Sequence, residues 1–137
     1  MTTVHVGIDP GVQTGFASWD AEEKGFLAID TLMIHEAMDR ILDLHRAGVL
    51  HSVTFEDARL RKWLGDKGRE VLQGAGSIKR DCAIWADFLG SHGIAYRAIA
   101  PQSGATKWKA DYFKRITGWA GRTSNHARDA AVLVFRR

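Results

Sequence analysis

The sequence predicts a single α/β domain with the element order βββαβαβαα, and three observations support that fold class. The first thirty residues predict strands separated by turns, and residues 3–9 alternate and are rich in β-branched side chains, which is typical of a strand. Later segments, above all residues 70–89, repeat their apolar residues at helical spacing. The length of 137 residues suits one hydrophobic core, so we expect residues 1–137 to form one domain.

Strands dominate the N-terminal third of the chain. Three of them are predicted over residues 3–9, 15–19 and 26–31. Pro10-Gly11 ends the first strand, and a turn at residues 22–25 joins the other two, so the segment predicts an antiparallel meander. A helix begins at Ile34, with apolar residues at near-helical spacing, and Gly48 ends it. Residues 52–56 then predict a short buried strand.

The second half of the chain contains the longest predicted helix. Residues 57–69 have no clear period and carry five basic side chains, so we interpret them as an exposed loop. Over residues 70–89 a 4-3-4-3-4 spacing predicts one helical seam, formed by Val71, Ala75, Ile78, Cys82, Trp85 and Leu89. A second stripe begins at Ile84 and Phe88, and it either packs on another subunit or widens the core face. The remaining predicted elements are a strand over residues 94–100, a helix over residues 106–117 and a final helix that is capped by Ser124 and runs to the C-terminus.

Composition limits the cellular setting and the partners. Charged residues interrupt every apolar stretch before the ~18 residues of a membrane span, and the N-terminus lacks a basic region followed by an apolar run, so we expect a cytoplasmic protein. Cys82 is the only cysteine, which excludes an internal disulfide, and we interpret it as a small buried hydrophobe. Residues 1–56 hold three Lys/Arg against nine Asp/Glu, whereas residues 57–137 hold sixteen against seven. The basic part indicates DNA or RNA as a partner, with a basic face kept for solubility as the plain alternative.

Three acidic residues far apart in sequence stand where they can converge. Asp9 and Glu56 each end a strand, so both project into one crevice if those strands are neighbours. Asp129 follows His126 by three residues on the last helix, so the two share a face. Packed carboxylates repel one another, and a bound Mg²⁺ or Mn²⁺ is the usual resolution. The sequence therefore predicts a site with two metal ions that cuts a nucleic-acid backbone, with His126 as a ligand or an aid to proton transfer.

Each of these residues also has a plain structural interpretation. Asp9 then serves as a turn residue, Glu56 as a surface acid and His126 as a polar residue at a helix N-terminus. Asp129 becomes a core acid satisfied by a neighbouring basic side chain. The joint placement at element ends favours the metal site. Asp57 is a reserve ligand, which points to the opposite side if the strand continues.

Two motifs resemble those of a nuclease family. Residues 6–11, Val-Gly-Ile-Asp-Pro-Gly, followed by Thr-Gly-Phe-Ala at 14–17, are similar to the opening motif of the RuvC-type crossover junction endodeoxyribonucleases, which resolve four-way (Holliday) DNA junctions. Residues 126–131, His-Ala-Arg-Asp-Ala-Ala, resemble their terminal-helix motif. Glu56, after a hydrophobic strand, resembles their second ligand. The order and spacing match over essentially the whole chain.

The resemblance implies an RNase H-like fold, with a central mixed five-stranded sheet flanked by helices, and a homodimer that cuts two symmetric strands. It also implies Mg²⁺ or Mn²⁺ as cofactor, held by Asp9, Glu56, His126 and Asp129. Residues 72–76 resemble the small-residue start of the family's long helix, and Ala-Thr-Lys at 105–107 resembles its Ala-x-Lys segment. The lysine-containing stretch that normally precedes this segment is not found at 101–104. The chain is also short for the family, which is more typical of phage-borne relatives.

Basic side chains are expected to bind phosphates around the site. Those that follow Glu56 closely are Arg59, Arg61, Lys62, Lys67 and Arg69. The track is extended by Lys79, Arg80, Lys107 and Lys109, with Lys114 and Arg115 further along the chain. Trp63, within the basic loop, either stacks on an unpaired base at a junction or anchors the loop by packing.

Three functions follow from these patterns. The first is a structure-selective endonuclease that acts on branched DNA, without a membrane partner or a small-molecule cofactor. The second is a junction-binding module that keeps the fold and has lost catalysis. The third is another RNase H-like protein, either a nuclease on RNA–DNA hybrids or a phosphate-binding ATPase. Such ATPases need a second phosphate-binding glycine hairpin and far more chain.

Overall fold

The computed structural model of the chain describes residues 2–61, 69–101 and 107–137, with the backbone alone for residues 69–75. Its strands are β1 (Val4–Asp9), β2 (Gln13–Asp20), β3 (Gly25–Met33), β4 (Leu50–Glu56) and β5 (Tyr96–Ile99). Its helices are α1 (Ile34–Arg46), α2 (Arg69–Ser91), α3 (Ala110–Thr117) and α4 (Asn125–Val134), and a short 3-10 turn covers Ala58–Leu60. The predicted order of strands and α-helices is confirmed.

The five strands form one mixed sheet in the order β3-β2-β1-β4-β5. β1, β2 and β3 pair antiparallel, as the meander predicts, whereas β4 runs parallel to β1 and β5 runs parallel to β4. Parallel neighbours need crossover connections, and α1 and α2 lie in those connections. β1 is therefore the central strand, and the carboxyl ends of β1, β4 and β5 meet at one end of the sheet.

Helices cover both faces of the sheet. On one face, α1 and α2 enclose a core that includes Ile8, Phe55 and Trp85. On the other face, α3 and α4 enclose a second core that includes Ala17 and Phe113. The domain is therefore a three-layer α/β structure. None of the helices in the described part of the chain combines the length and the apolar character needed to cross a membrane.

Local signals place the end of α1 and the start of α4 as predicted. Gly48 takes a φ of 75°, a left-handed conformation that ends the preceding helix, α1. At the start of α4, the Ser124 hydroxyl accepts the backbone N–H of Ala127 at 3.0 Å. This cap satisfies one of the free N–H groups of the first turn and fixes where the helix begins.

Two glycines let α4 lie directly on the sheet. A Cβ at Gly7 of β1 would come 2.1 Å from the carbonyl oxygen of Ala130. A Cβ at Gly15 of β2 would come 1.9 Å from the carbonyl oxygen of His126. Any side chain at either position would collide with the helix backbone. The two glycines therefore allow the polar residues of α4 to approach the end of β1.

Several predicted boundaries differ from the structure, and those of β5, α3 and the end of α4 are wrong, since α4 ends at Val134 and does not run to the C-terminus. β5 is limited to Tyr96–Ile99, and Ile94 is a buried residue before it. α3 begins at Ala110 and not at residue 106, with Lys109 in an extended conformation at its N-cap. The backbone just before α3 is tied to α4, because the Trp108 carbonyl accepts a hydrogen bond from Arg128.

Among the side chains that the structure describes, the predicted seam of α2 holds from Cys82 to Leu89. Cys82, Trp85 and Leu89 are fully buried, but Ile78 is 43% exposed because it faces a cavity at the end of the sheet. Of the predicted second stripe, Ile84 is exposed and Phe88 packs against the core. The first two positions of the seam, Val71 and Ala75, lie outside the described side chains.

A histidine pair at the amino ends of β1 and β4 makes stability depend on pH. The rings of His5 and His51 have centroids 4.7 Å apart, and burial, together with the charge of His51, lowers the pKa of His5 below 6.5. The folded state therefore binds fewer protons than the unfolded state, so stability is fully present above pH 6.5. It declines as the pH falls through 6.5 towards the lower folded pKa. We expect His5→Asn to flatten the dependence of Tm on pH between about pH 7 and 5.

Scanning calorimetry at a series of pH values tests this expectation. The matched control is the exposed His35 on α1, whose replacement by asparagine should leave the slope as in the wild type. A wild-type slope in His5→Asn would contradict the assignment.

Candidate metal centre

Asp9 and Glu56 lie side by side at the carboxyl ends of β1 and β4. The parallel register pairs Ile8 with Phe55, so Asp9 and Glu56 are the next residues on the two strands. Ile8 and Phe55 belong to the core under α1 and α2. Because side chains alternate along a strand, both carboxylates face the opposite side, where α4 packs.

α4 brings the other two predicted site residues to the same point. Asp9, Glu56 and Asp129, which we call the carboxylate triad, each offer an oxygen within 4.8 Å of the others. His126 lies beside the triad, with its Nδ1 atom 2.9 Å from Oδ2 of Asp9. All four residues that the sequence singled out therefore come together, although they lie on three separate elements.

The triad is largely shielded from water. Glu56 is 8% exposed, and the side chains of Asp9 and Asp129 are 15% and 12% exposed. Burial raises the pKa of Asp9 above 3.8, and the charge of Asp129 adds to the rise, while the hydrogen bond with His126 opposes it. Three carboxylates this close repel one another, so nearby positive charge stabilises the site.

Lys107 supplies part of that charge. Its Nζ atom donates to Oδ2 of Asp129 at 2.9 Å. Burial acts to lower the pKa of Lys107, but the hydrogen bond and the charges of the whole triad outweigh burial and raise this pKa above 10.5. The ammonium therefore stays protonated beside the triad. The plain interpretation of Asp129, an acid satisfied by a basic neighbour, describes this contact.

A buried arginine that the sequence motifs did not single out positions the segment with Lys107. Arg128 is 7% exposed, and its guanidinium donates to the carbonyl of Trp108 at 3.2 Å and to the carbonyl of Thr123 at 2.6 Å. It also donates to the side-chain oxygen of Asn125. These bonds tie the backbone before α3 to the start of α4. The available signal was an arginine that follows Ala127 on a helix rich in small apolar residues, since an arginine buried there must find acceptors.

A cavity of about 530 Å³ opens over the triad, and we call it the triad cavity. The triad and His126 line it, together with four basic residues that the sequence predicted as phosphate contacts: Arg61, Lys79, Lys107 and Lys109. Ile78, Trp108 and Asn125 also line it and were not predicted. Cations thus surround a floor of carboxylates, an arrangement that can hold a phosphodiester above a metal.

The chain matches no family model and no curated protein. The motifs at residues 6–11 and 126–131 thus stand as resemblances. The function has to be inferred from the chemistry of the triad cavity.

The other predicted basic residues that the structure describes do not line the triad cavity. Arg59 donates from Nη2 to Oδ2 of Asp57 at 2.8 Å, so a carboxylate already holds its guanidinium. Arg80 is exposed on α2 and lies outside the cavity lining. Lys62, Trp63, Lys67 and the Arg69 side chain lie outside the described residues, as do residues 105 and 106 of the Ala-x-Lys segment.

Asp57, the reserve ligand, lies on the opposite side from the triad. It is 2% exposed, and its hydrogen bond with Arg59 holds the pKa of Asp57 below 3.8. Cys82 is next to it, and its Sγ atom lies 3.6 Å from the carbonyl oxygen of Glu56 and 3.4 Å from the N–H of Ala58. Burial raises the pKa of Cys82 to about 11, so it is an uncharged buried side chain, as predicted. These contacts brace the end of β4 from the face opposite the triad.

Proposed function

We propose that the chain is a metal-dependent endonuclease with an RNase H-like fold that cuts branched DNA, four-way junctions in particular. The observation that carries this proposal is the carboxylate triad, three oxygen donors from β1, β4 and α4 within 4.8 Å of one another. They lie at the floor of a cavity whose lining includes four cationic side chains. A protein that only binds DNA gains nothing from carboxylates that repel it. The mixed five-stranded sheet with helices on both faces is compatible with an RNase H-like fold.

The donors of the triad suit a hard divalent cation such as Mg²⁺ or Mn²⁺. All three are carboxylates, the ligand type that these ions prefer. Because each of the three residues offers an oxygen within 4.8 Å of the others, the triad would hold such an ion with modest movement of its side chains. The ammonium of Lys107 also offsets the negative charge of the triad, through its hydrogen bond to Asp129.

Each residue around the triad has a separate task in the proposed hydrolysis. Two hard cations bound there would supply an activated water and stabilise the leaving oxygen of the phosphodiester, as the resemblance to RuvC-type nucleases implies. His126 orients the carboxylate of Asp9, and its half-exposed ring can take up the proton that the water releases. Lys107 offsets the charge of Asp129 before a phosphate enters.

The cations of the cavity account for DNA binding without sequence readout. Arg61, Lys79 and Lys109 line the cavity above the triad, where they would contact phosphates. Phosphate contacts position a protein on DNA but carry no base information, which suits recognition of a branched shape. Two copies of the chain would cut the two symmetric strands of a junction. Ile84, exposed on α2, is a candidate contact between them.

A nicking assay on a panel of substrates tests the proposal. The panel contains a four-way junction, a flap, a single strand, an RNA–DNA hybrid and a linear duplex, each with Mg²⁺ or Mn²⁺. We expect paired nicks in the four-way junction and little cleavage of the linear duplex. Preferential cleavage of the hybrid would point to a ribonuclease, and no cleavage of any substrate with either metal would overturn the proposal.

The ion pair between Lys107 and Asp129 favours one second candidate, a junction-binding module without catalysis. In such a protein the ammonium would satisfy the acid permanently and no metal would enter. Tight junction binding in EDTA, with no cleavage and no rise of Tm with Mg²⁺, would select this candidate.

Replacing Lys107 by methionine distinguishes an ion pair whose charge a metal ion can replace from one that satisfies Asp129 permanently. Asp129 would then lie buried beside two like charges, and we expect the free energy of unfolding in EDTA to fall by ~1 kcal/mol, a modest loss because the lysine is partly exposed. The stabilisation gained on adding Mg²⁺ should grow, since the metal ion replaces the lost charge. Urea unfolding in EDTA and in Mg²⁺ measures both quantities. Lys109→Met, in the same cavity, is the matched control, and equal effects of the two substitutions would contradict this account.

A further inference from the structure

A second cavity lies at the other end of the sheet, and the proposed hydrolysis does not use it. Its volume is about 560 Å³, and it is formed by the β2–β3 turn, the end of α3 and the residues that follow α4. Within β2, Gly15 pairs with Asp9, and Asp20 lies five residues further along the strand, at the turn. That length of strand places the second cavity roughly 17 Å from the triad.

Aromatic rings form the floor of the second cavity. The four rings are those of Trp19, Phe26, Trp119 and Phe135. Phe26 and Phe135 stack with centroids 6.0 Å apart and 13° between their planes, while Trp119 meets Phe26 edge to face at 6.3 Å. Phe26, Trp119 and Phe135 are only partly buried. Partly open aromatic faces in a cavity of this volume suit a flat ring as ligand.

The rim of the second cavity is cationic. Lys24, Arg136 and Arg137 are exposed and line it, and its described lining contains no Asp or Glu. The guanidinium of Arg136 lies 4.9 Å from the centroid of the Phe135 ring, beside the aromatic floor. The acids of the turn, Asp20, Glu22 and Glu23, are not part of the lining, and Asp20 accepts the backbone N–H of Glu22 at 3.0 Å. The rim therefore suits an anionic group next to a flat ring.

Two features that disfavour the folded state occur at this cavity: left-handed backbone at non-glycine residues and buried N–H groups without an acceptor. Lys24 and Arg136, with φ of 55° and 62°, are the non-glycine residues of the described chain that have a left-handed backbone, and both line it. Among the described residues, three indole N–H groups are buried without an acceptor; Trp19 and Trp119 line this cavity, whereas Trp85 lies in the core under α1 and α2. Strained backbone clusters at functional sites, and buried donors without a partner are uncommon in folded proteins.

We propose that the second cavity binds a nucleotide, with the base on the aromatic floor and the phosphate at the rim formed by Lys24, Arg136 and Arg137. Aromatic side chains stack on any base, and arginine and lysine form charge-assisted hydrogen bonds to phosphate. A nucleoside would leave the rim without an anion, and inorganic phosphate would leave the floor uncovered. The same chemistry is offered by a free nucleotide and by the phosphorylated end of a DNA strand. This inference does not depend on the proposed nuclease activity.

Titrations followed by tryptophan fluorescence test the proposal, because Trp19 and Trp119 line the cavity. The ligands are dAMP, deoxyadenosine, inorganic phosphate and a 5′-phosphorylated single-stranded oligonucleotide, all in EDTA. We expect saturable binding of dAMP with a Kd of about 1 mM or tighter, and binding at least ~10-fold weaker for deoxyadenosine and phosphate. An oligonucleotide that binds at least ~10-fold tighter than dAMP identifies a strand end as the ligand, and equal affinities identify a free nucleotide.

Two variants locate the binding site without disturbing the fold. Lys24→Gly and Arg136→Gly each remove a rim cation, and glycine also accepts the left-handed backbone, so neither should lower Tm. Each should weaken dAMP binding by about 10-fold or more. Arg122→Ala, an exposed arginine outside both cavities, is the control for loss of one positive charge. The proposal is overturned if dAMP does not bind saturably, if both rim variants bind it like the wild type, or if phosphate or deoxyadenosine binds as tightly.

Discussion

Replacing Asp9 by asparagine is expected to lower the rate of junction nicking by at least about 1,000-fold, which corresponds to ~4 kcal/mol of transition-state stabilisation. Asparagine keeps the size of the side chain and can still form a hydrogen bond with His126. It removes one of the three negative charges proposed to hold the metal ions. A loss of this size would therefore come from the charge and not from a change of shape. Single-turnover nicking of a four-way junction with Mg²⁺ measures it.

The same substitution should make the metal-free protein more stable. Asp9 is mostly buried and lies near Asp129, and both conditions disfavour its ionised form. Asp9→Asn removes this repulsion, so we expect a higher Tm than that of the wild type in EDTA. Mg²⁺ should raise the Tm of the wild type and have little effect on the variant, because binding to the folded state is what stabilises it. Calorimetry in EDTA and in excess Mg²⁺ therefore tests metal binding without any nuclease assay.

A matched control is available on β3. Asp30 is an exposed carboxylate that pairs with Arg40 at 3.0 Å, on a strand outside the triad. Asp30→Asn should leave the nicking rate and the response of Tm to Mg²⁺ unchanged. If Asp9→Asn cleaved junctions within tenfold of the wild type, the proposed role of the triad would be refuted.

The two strand ends were the most predictable part of the site. Asp9 stands directly before Pro10-Gly11, and Glu56 ends an apolar strand, so each position follows from a short stretch of sequence. Their meeting depends on β1 and β4 being parallel neighbours, and the helix between β3 and β4 makes such a return possible. The role of Ser124 as the N-cap of α4 was equally predictable, since a capping residue before a helical segment is a local signal.

Contacts set by tertiary packing could not be predicted in the same way. Helical period places Ile78 on the buried face of α2, but period says nothing about whether another element lies opposite that residue. The contact between Lys107 and Asp129 depends on the position of the backbone at Trp108, which Arg128 fixes by a hydrogen bond to the Trp108 carbonyl. The second cavity joins a turn, a helix end and the residues after α4, which no motif links.

Gly15→Ala is expected to have the largest effect on the fold itself. Its Cβ would lie 1.9 Å from the carbonyl oxygen of His126 and 2.4 Å from the carbonyl carbon. Both are backbone atoms, which cannot rotate away as a flexible side chain can, so α4 must move off β2. We expect the free energy of unfolding to fall by ~3 kcal/mol or more, at the upper end of the range for overpacked sites. Urea unfolding monitored by circular dichroism measures this loss.

The comparison with Gly90→Ala isolates the steric cause. Gly90 lies inside α2 with nothing within 4 Å of an added methyl group, so alanine there should stabilise the protein by about 0.5–1 kcal/mol. Two substitutions of the same chemistry are thus expected to change stability in opposite directions. Because α4 carries His126 and Asp129, the shift caused by Gly15→Ala should also weaken the rise of Tm with Mg²⁺ in whatever protein stays folded. Equal urea midpoints for the two variants would mean that α4 tolerates a wider spacing from β2, and that the triad does not depend on the close approach at Gly15.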